Sequence, residues 1–215
     1  GNGNGVGSGH GWRPARWAAV GFFLLAGLSF GSWVARSPEV QDALGLDDAE
    51  LGLTLLGTAI GSIIAMTGSG PLIARFGSRA VTTVAAFGVC ATLPLLPLAP
   101  SMGALFAALF LFGAFYGTMD VAMNAQAVLV EAGYGRPIMS SFHGVFSLGG
   151  LLGAASAGAI VGAGVGPGPH LLGGGLALRR MAANFTAFRA RQANAPVLPE
   201  RAAAMMNLLI SEQVE

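Results

Sequence analysis

Five long apolar runs, parted by short segments that hold nearly all the early charge, fill most of the chain between Trp17 and Val165. They extend from Trp17 to Ala35, Leu51 to Ile73, Ala80 to Leu98, Met102 to Val130 and Phe142 to Val165. Each is about long enough to cross ~30 Å of hydrocarbon as a helix. Lipid satisfies no backbone N–H or C=O group, and the period-2 alternation of a barrel is absent from the runs, so they are expected to be helices. The composition agrees: 53% of residues are hydrophobic and 10% charged, against roughly 25% charged in soluble domains. The fold class expected is therefore an all-α membrane protein. A net charge of +1 with no basic, aromatic-interleaved patch gives no reason to expect a nucleic-acid partner. The lone cysteine, Cys90, lies inside an apolar run, which excludes an intrachain disulfide and a thiolate cluster and points to core packing. No metal site or cofactor is expected.

Three regions follow. Residues 1–11 are Gly/Asn-rich and read as a flexible leader, residues 12–167 as the transmembrane helical domain, and residues 168–215 as a tail. Arg13, Arg16, Arg75, Arg79 and Arg136 flank the runs on one side and Arg36 alone on the other. The positive-inside rule then puts the N-terminus in the cytoplasm of a multi-pass protein of the inner or plasma membrane. Arg36 reads as a snorkelling anchor, and Glu131 and Arg136 as solvated loop charges. Asp47 sits where the second helix should be capped, and Pro94, Pro97 and Pro100 should break the third into a tight turn. Gly57 and Gly61, Gly149 and Gly153, and Gly158 and Gly162 are spaced for close helix approach, the last two pairs placing partners on two sides of the fifth helix.

Between the second and third runs the chain reads Gly70-Pro-Leu-Ile-Ala-Arg75-Phe-Gly77-Ser-Arg79. This resembles the G-x-x-x-D-R-x-G-R-R loop of the major facilitator superfamily, in place and in side of the membrane. The resemblance implies a conformational role for Gly70, Arg75, Gly77 and Arg79. Gly70 is expected to allow close helix approach and Gly77 to supply a turn at positive φ. Ala74 stands where the signature carries its acid, and Ser78 where it carries a base.

The fourth run holds Gly117-Thr-Met-Asp120-Val-Ala-Met-Asn124-Ala-Gln126, which is similar to the acid-x-x-x-Asn pattern of fucose-type sugar:proton symporters. A spacing of four puts Asp120 and Asn124 on one helical face, while Gln126 falls on another. A carboxylate at this depth is expected to face the bundle interior or a wet cavity. The resemblance implies proton coupling at Asp120 and solute or water contact at Asn124. Gln126, and His143 at the start of the fifth run, complete the candidate substrate-binding set. The first run has only Ser29 and Ser32 where those symporters carry a second acid.

Such carriers join two six-helix halves around a central solute. The resemblance here covers about Trp12 to Pro167, five helices of a six-helix N-terminal bundle, followed by what reads as non-family sequence. The apolar stretch Leu171 to Leu178 is too short to cross, and Met181 to Ala193 reads as an amphipathic helix or as disordered chain. The expected function is secondary transport of a small polar, sugar-like solute, proton-coupled, by an incomplete half-transporter. Its partners would be the solute, a proton, the lipid bilayer, and a complementary half or a second copy. The alternative is a non-transporting scaffold assembled through Gly-rich faces. An enzyme is not expected, since no nucleophile–base, paired-acid or metal constellation accompanies Asp120 and His143, and no phosphate-binding P-loop motif occurs.

Overall fold

A computed structural model describes residues 12–190; the leader and the chain after Ala190, including Arg191 and Arg201, lie outside the described residues. Helices account for nearly all of it: α1 (Arg13–Val34), α2 (Ser37–Leu44), α3 (Asp48–Thr92), a 3-10 helix (Leu93–Leu98), α4 (Met102–Tyr134), α5 (Met139–Gly162) and α6 (Pro167–Ala190). No strand occurs among the described residues. Pro sits in the first turn of α1 and of α2, where its missing N–H costs nothing. Asp47 caps α3 through a capping box, accepting from the Glu50 N–H at 2.8 Å while the Glu50 carboxylate accepts from the Asp47 N–H at 3.0 Å. Pro94 and Pro97 convert the end of the third run into the 3-10 helix, as proline's lost donor requires.

The helix α3 is a hairpin in all but name. At Gly77 the backbone takes φ 79° and ψ 145°, so the chain departs from the helix there. The contacts on either side fix the reversal. Ahead of it, Gly57 meets Phe106 and Gly61 meets Phe110, so this limb runs parallel to α4. After it, Thr82 pairs with Gln126 and Gly88 meets Phe115, so the second limb runs antiparallel to α4. The second and third runs are thus two limbs of opposite direction.

Two glycine seams hold the bundle. On the first limb of α3 and on α4, Cβ atoms added at Gly57, Gly61, Gly113 and Gly117 would fall 2.1–2.8 Å from backbone atoms of the opposite helix. On α1 and α5, which also run parallel, the same holds for Gly27, Gly31, Gly149 and Gly153. Backbones this close gain dispersion and Cα–H···O contacts where lipid supplies no hydrophobic drive. The second α5 pair departs from expectation. Nothing lies within 4 Å of a Cβ at Gly158 or Gly162, so α5 is packed through its Gly149/Gly153 seam and those two glycines border open space. The core between the seams holds Phe22, Phe23, Leu25, Trp33, Leu93, Leu105, Leu109, Phe112, Met119 and Cys90, all buried.

The segment read as a tail is different in kind from that expectation. Pro167 to Ala190 form one continuous helix, α6, of 24 residues, about 36 Å long. It lies antiparallel to α1, with His170 against Arg36 at one end and Phe185 over Gly21 at the other, and antiparallel to the second limb of α3, with Gly175 against Cys90 and Thr186 beside Thr83. Composition concealed it, because Gly173 to Gly175, Arg179 and Arg180 keep its hydropathy below that of a spanning helix. Its inward face, Leu171, Leu178 and Ala182, is nevertheless buried, and the arginines face out. Among the described residues four helices are long and apolar enough to cross a membrane, the α3 hairpin counted as one, and α6 occupies a sixth place beside them.

One of the two loop charges does more than expected. Glu131 is not a solvated loop charge: its carboxylate accepts from the Ile138 and Met139 N–H groups at 2.7 and 2.6 Å and so caps α5. Glu131→Gln is expected to cost about 1–2 kcal/mol, because an ionised acceptor at two orphan helix donors becomes neutral. Denaturant unfolding of the detergent-solubilised chain measures this. Arg136 does stay exposed, with its guanidinium 5.6 Å from the centre of the Tyr134 ring.

Candidate functional site

The loop signature takes the form that its glycine demands. Gly77 adopts the positive φ that non-glycine residues rarely take, and it turns one limb of α3 into the next. Arg75 stacks over Phe76, 5.2 Å from the ring centre, and Arg79 begins the second limb, its carbonyl accepting from the Thr83 hydroxyl at 2.9 Å. Gly70 does not serve close helix approach, since a Cβ there would meet nothing within 4 Å.

A stripe along α4 gathers the polar candidates. Phe112, Tyr116, Asp120 and Asn124 follow at intervals of four and so share a face. The Asn124 amide donates to Asp120 Oδ1 at 3.2 Å and to the Asp120 carbonyl at 2.9 Å, which fixes both side chains along the helix. Both are half-buried. From α5, His143 lies within electrostatic reach of Asp120 and sets its ring edge-on to Phe23 of α1, centroids 5.4 Å apart. Two helices, α4 and α5, therefore bring one carboxylate, one amide and one imidazole to a common open face beside Phe23 of α1, and this joins three of the four residues expected to carry the site.

The fourth does not join them. Gln126 is buried, 5% exposed, and donates to the Thr82 hydroxyl at 2.7 Å across the contact between α4 and the second limb of α3. Two positions after Asn124, it is turned some 200° around the helix. Its bond ties helices together where a solute cannot reach. Arg36 likewise does not snorkel. It is fully buried and donates to His170 Nδ1 at 3.0 Å, to Glu39 Oε2 at 2.5 Å and to the Val165 carbonyl.

Aromatic residues complete the open face. Phe30 of α1 is 41% exposed and tilted against Tyr116, centroids 5.7 Å apart; Tyr116 in turn packs on Phe112 and donates to the Ala26 carbonyl at 3.2 Å. The Tyr116 bond holds α4 to α1 one turn from Asp120. A cavity of about 380 Å³ between the second limb of α3 and α6, bordered by Cys90, Pro94, Leu176 and Arg179, shares no residue with this face. Among the described residues no group of three or more His, Cys, Asp or Glu side chains could hold a metal ion.

The comparisons with known proteins agree with this architecture. Residues 8–208 match the Major Facilitator Superfamily, so the matched stretch takes in α6. The chain is 46% identical over 145 residues to an uncharacterized MFS-type transporter of Yersinia pestis, covering 67% of this chain and 38% of the relative. It is 41% identical over 142 residues to the uncharacterized transporter y4wD of Sinorhizobium fredii, covering 66% and 37%. It is 39% identical over 144 residues to the membrane protein MosC of Rhizobium meliloti, covering 66% and 35%. The chain thus spans less than two-fifths of the length of these curated relatives. With all-helical architecture, apolar helices of crossing length, relatives named as transporters rather than enzymes and a match over nearly the whole sequence, this membrane protein belongs to the Major Facilitator Superfamily.

Proposed function

We propose that this chain is the N-terminal half of a secondary carrier that moves a small polar, sugar-like solute with a proton, and that Asp120 carries the coupling. The observation that supports this most is the shared face of Asp120, Asn124 and His143, set on α4 and α5 and open on the side away from the core. A carboxylate held at the midpoint of a membrane helix is expensive unless it has a use, and here it faces open space beside hydrogen-bonding groups. Asn124 and His143 contact the solute or its water, and Phe30 and Tyr116 wall the same face. The placement of Arg13, Arg16, Arg75, Arg79 and Arg136 supports a cytoplasmic N-terminus in the inner or plasma membrane. The similarity of Asp120 and Asn124 to the fucose-type pattern supports the sugar-like class.

The open side of the face carrying Asp120, Asn124 and His143 supports the other part of the reading, that a complementary half is needed to close the cavity. The test is uptake by proteoliposomes. The 215-residue chain alone is expected to insert yet accumulate no solute above empty vesicles. Co-reconstitution with the remaining portion of a full-length relative is expected to restore uptake driven by an inward proton gradient. Robust uptake by the chain alone overturns the half-carrier reading. A discrete oligomer with no solute dependence in any combination supports instead a scaffold held through its glycine faces.

A further inference from the structure

At the end of the bundle away from the N-terminus, one buried guanidinium joins three elements. Arg36, fully buried just past α1, donates Nε–H to His170 in the first turn of α6. It also donates to Glu39 in α2 and to the Val165 carbonyl in the turn between α5 and α6. The turn's other bonds are local backbone ones, among them Gly164 N–H to the Val161 carbonyl at 2.8 Å and Val165 N–H to that of Ile160 at 3.2 Å, which close the end of α5 and do not tie it to α1. The turn passes through Gly164 at φ 76°, and Gly158, Gly162, Gly164, Gly166 and Gly168 all border open space.

The bond to His170 carries information about protonation. His170 is 9% exposed and accepts through Nδ1, which requires that nitrogen to be bare. A second proton on the ring abolishes the acceptor and sets two cations about 3 Å apart in a site with little water. We propose that Arg36 and His170 form a pH-dependent latch on the α5–α6 turn: the neutral imidazole holds the turn and the start of α6 to α1, and the protonated imidazole releases them. No Lys, and only Arg36 and Glu39 among charged side chains, act on the ring among the described residues. The 3-10 helix Leu93–Leu98 packed on α6, and α5 from Leu151 onward, carry no titratable side chain.

The sign follows from these neighbours. Burial and then the Arg36 charge lower the His170 pKa below its ordinary value of 6.5, while Glu39 acts the other way. His170 lies in none of the four helices of crossing length. A lowered pKa for a base means that the latch contributes fully above about pH 6.5 and is lost as pH falls through the lower folded value. The inference needs neither an orientation in the membrane nor transport, so it stands or falls apart from the proposed function.

Hydrogen exchange of the amides from 163 to 172, corrected for the intrinsic pH dependence of exchange, tests it on the full chain in detergent micelles. Between pH 7.5 and pH 5 the corrected rate is expected to rise about tenfold or more, with the α1–α5 seam unchanged. His170→Gln keeps an acceptor that does not titrate, and is expected to hold the segment protected at both pH values. Glu39→Gln removes the opposing charge and is expected to move the wild-type transition to lower pH, a readout that survives if the His170 variant misfolds. Equal protection at both pH values overturns the latch. So does acid loosening that persists in a folded His170→Gln chain, or a Glu39→Gln transition that stays in place or moves upward.

Discussion

In the co-assembled carrier, Asp120→Asn is expected to lower proton-driven accumulation by about 100-fold or more while solute exchange down its own gradient continues. Asparagine is nearly isosteric and keeps an oxygen for the Asn124 amide, now 3.2 Å from Asp120 Oδ1, so the local hydrogen bonding survives and only the titrating group is lost. Binding without coupling separates a proton carrier from a structural carboxylate. Were Asp120 merely an interhelical bond, the substitution would leave the pH dependence of accumulation unchanged and change stability instead. Uptake against a solute gradient, measured at imposed pH differences beside counterflow at equal pH, distinguishes the two. Asn124→Ala is the partner test: it removes the proposed solute contact together with the amide's bond to Asp120 Oδ1, leaves the titrating carboxyl in place, and should weaken exchange and accumulation together.

The parts of this fold that were legible in the sequence are those written in the local chain. The apolar runs gave the helices because lipid leaves the backbone no alternative, and Asp47 with Glu50 gave the cap because both halves of the capping box lie within one turn. Gly77 was legible for the same reason, since a chain reversal after a helix favours the one residue that accepts positive φ freely. What escaped depends on neighbours distant in sequence. Arg36 looked like an anchor because its partners, His170 and Val165, lie more than 125 residues away. Gln126 looked like a site residue because a polar side chain in an apolar run gives no sign of Thr82 across the helix contact. Phe30 and Tyr116 were hidden among the many aromatics of the runs, and the sequence does not distinguish them from Phe22, Phe23 and Phe112, which the fold buries. The glycines show the limit most directly. The i, i+4 spacing is the same at Gly149/Gly153 and at Gly158/Gly162, yet only the first pair meets a backbone.

That contrast predicts substitutions of opposite sign at identical spacing. A methyl at Gly31 would lie 2.1 Å from the Gly150 carbonyl oxygen, and one at Gly61 would lie 2.1 Å from that of Phe110. Neither obstacle is the end of a side chain that can swing away; both are backbone, so the paired helices must part along their length and forfeit contacts at the neighbouring glycines. Gly31→Ala and Gly61→Ala are each expected to destabilise the bundle by about 2–3 kcal/mol, the scale of overpacking a close contact. Gly162→Ala meets nothing and gains helix propensity, so it is expected to be neutral or stabilising by up to about 1 kcal/mol. Reversible unfolding in mixed micelles by a denaturing detergent reads all three on one scale. If Gly31 and Gly162 respond alike, the glycines serve flexibility rather than approach, and the parallel pairing of α1 with α5 loses its physical basis. If they diverge as expected, the two seams are what hold Asp120 of α4, His143 of α5 and Phe30 of α1 in register, because α1 is the element that α5 grips through glycine and that α4 reaches through the Tyr116 hydroxyl.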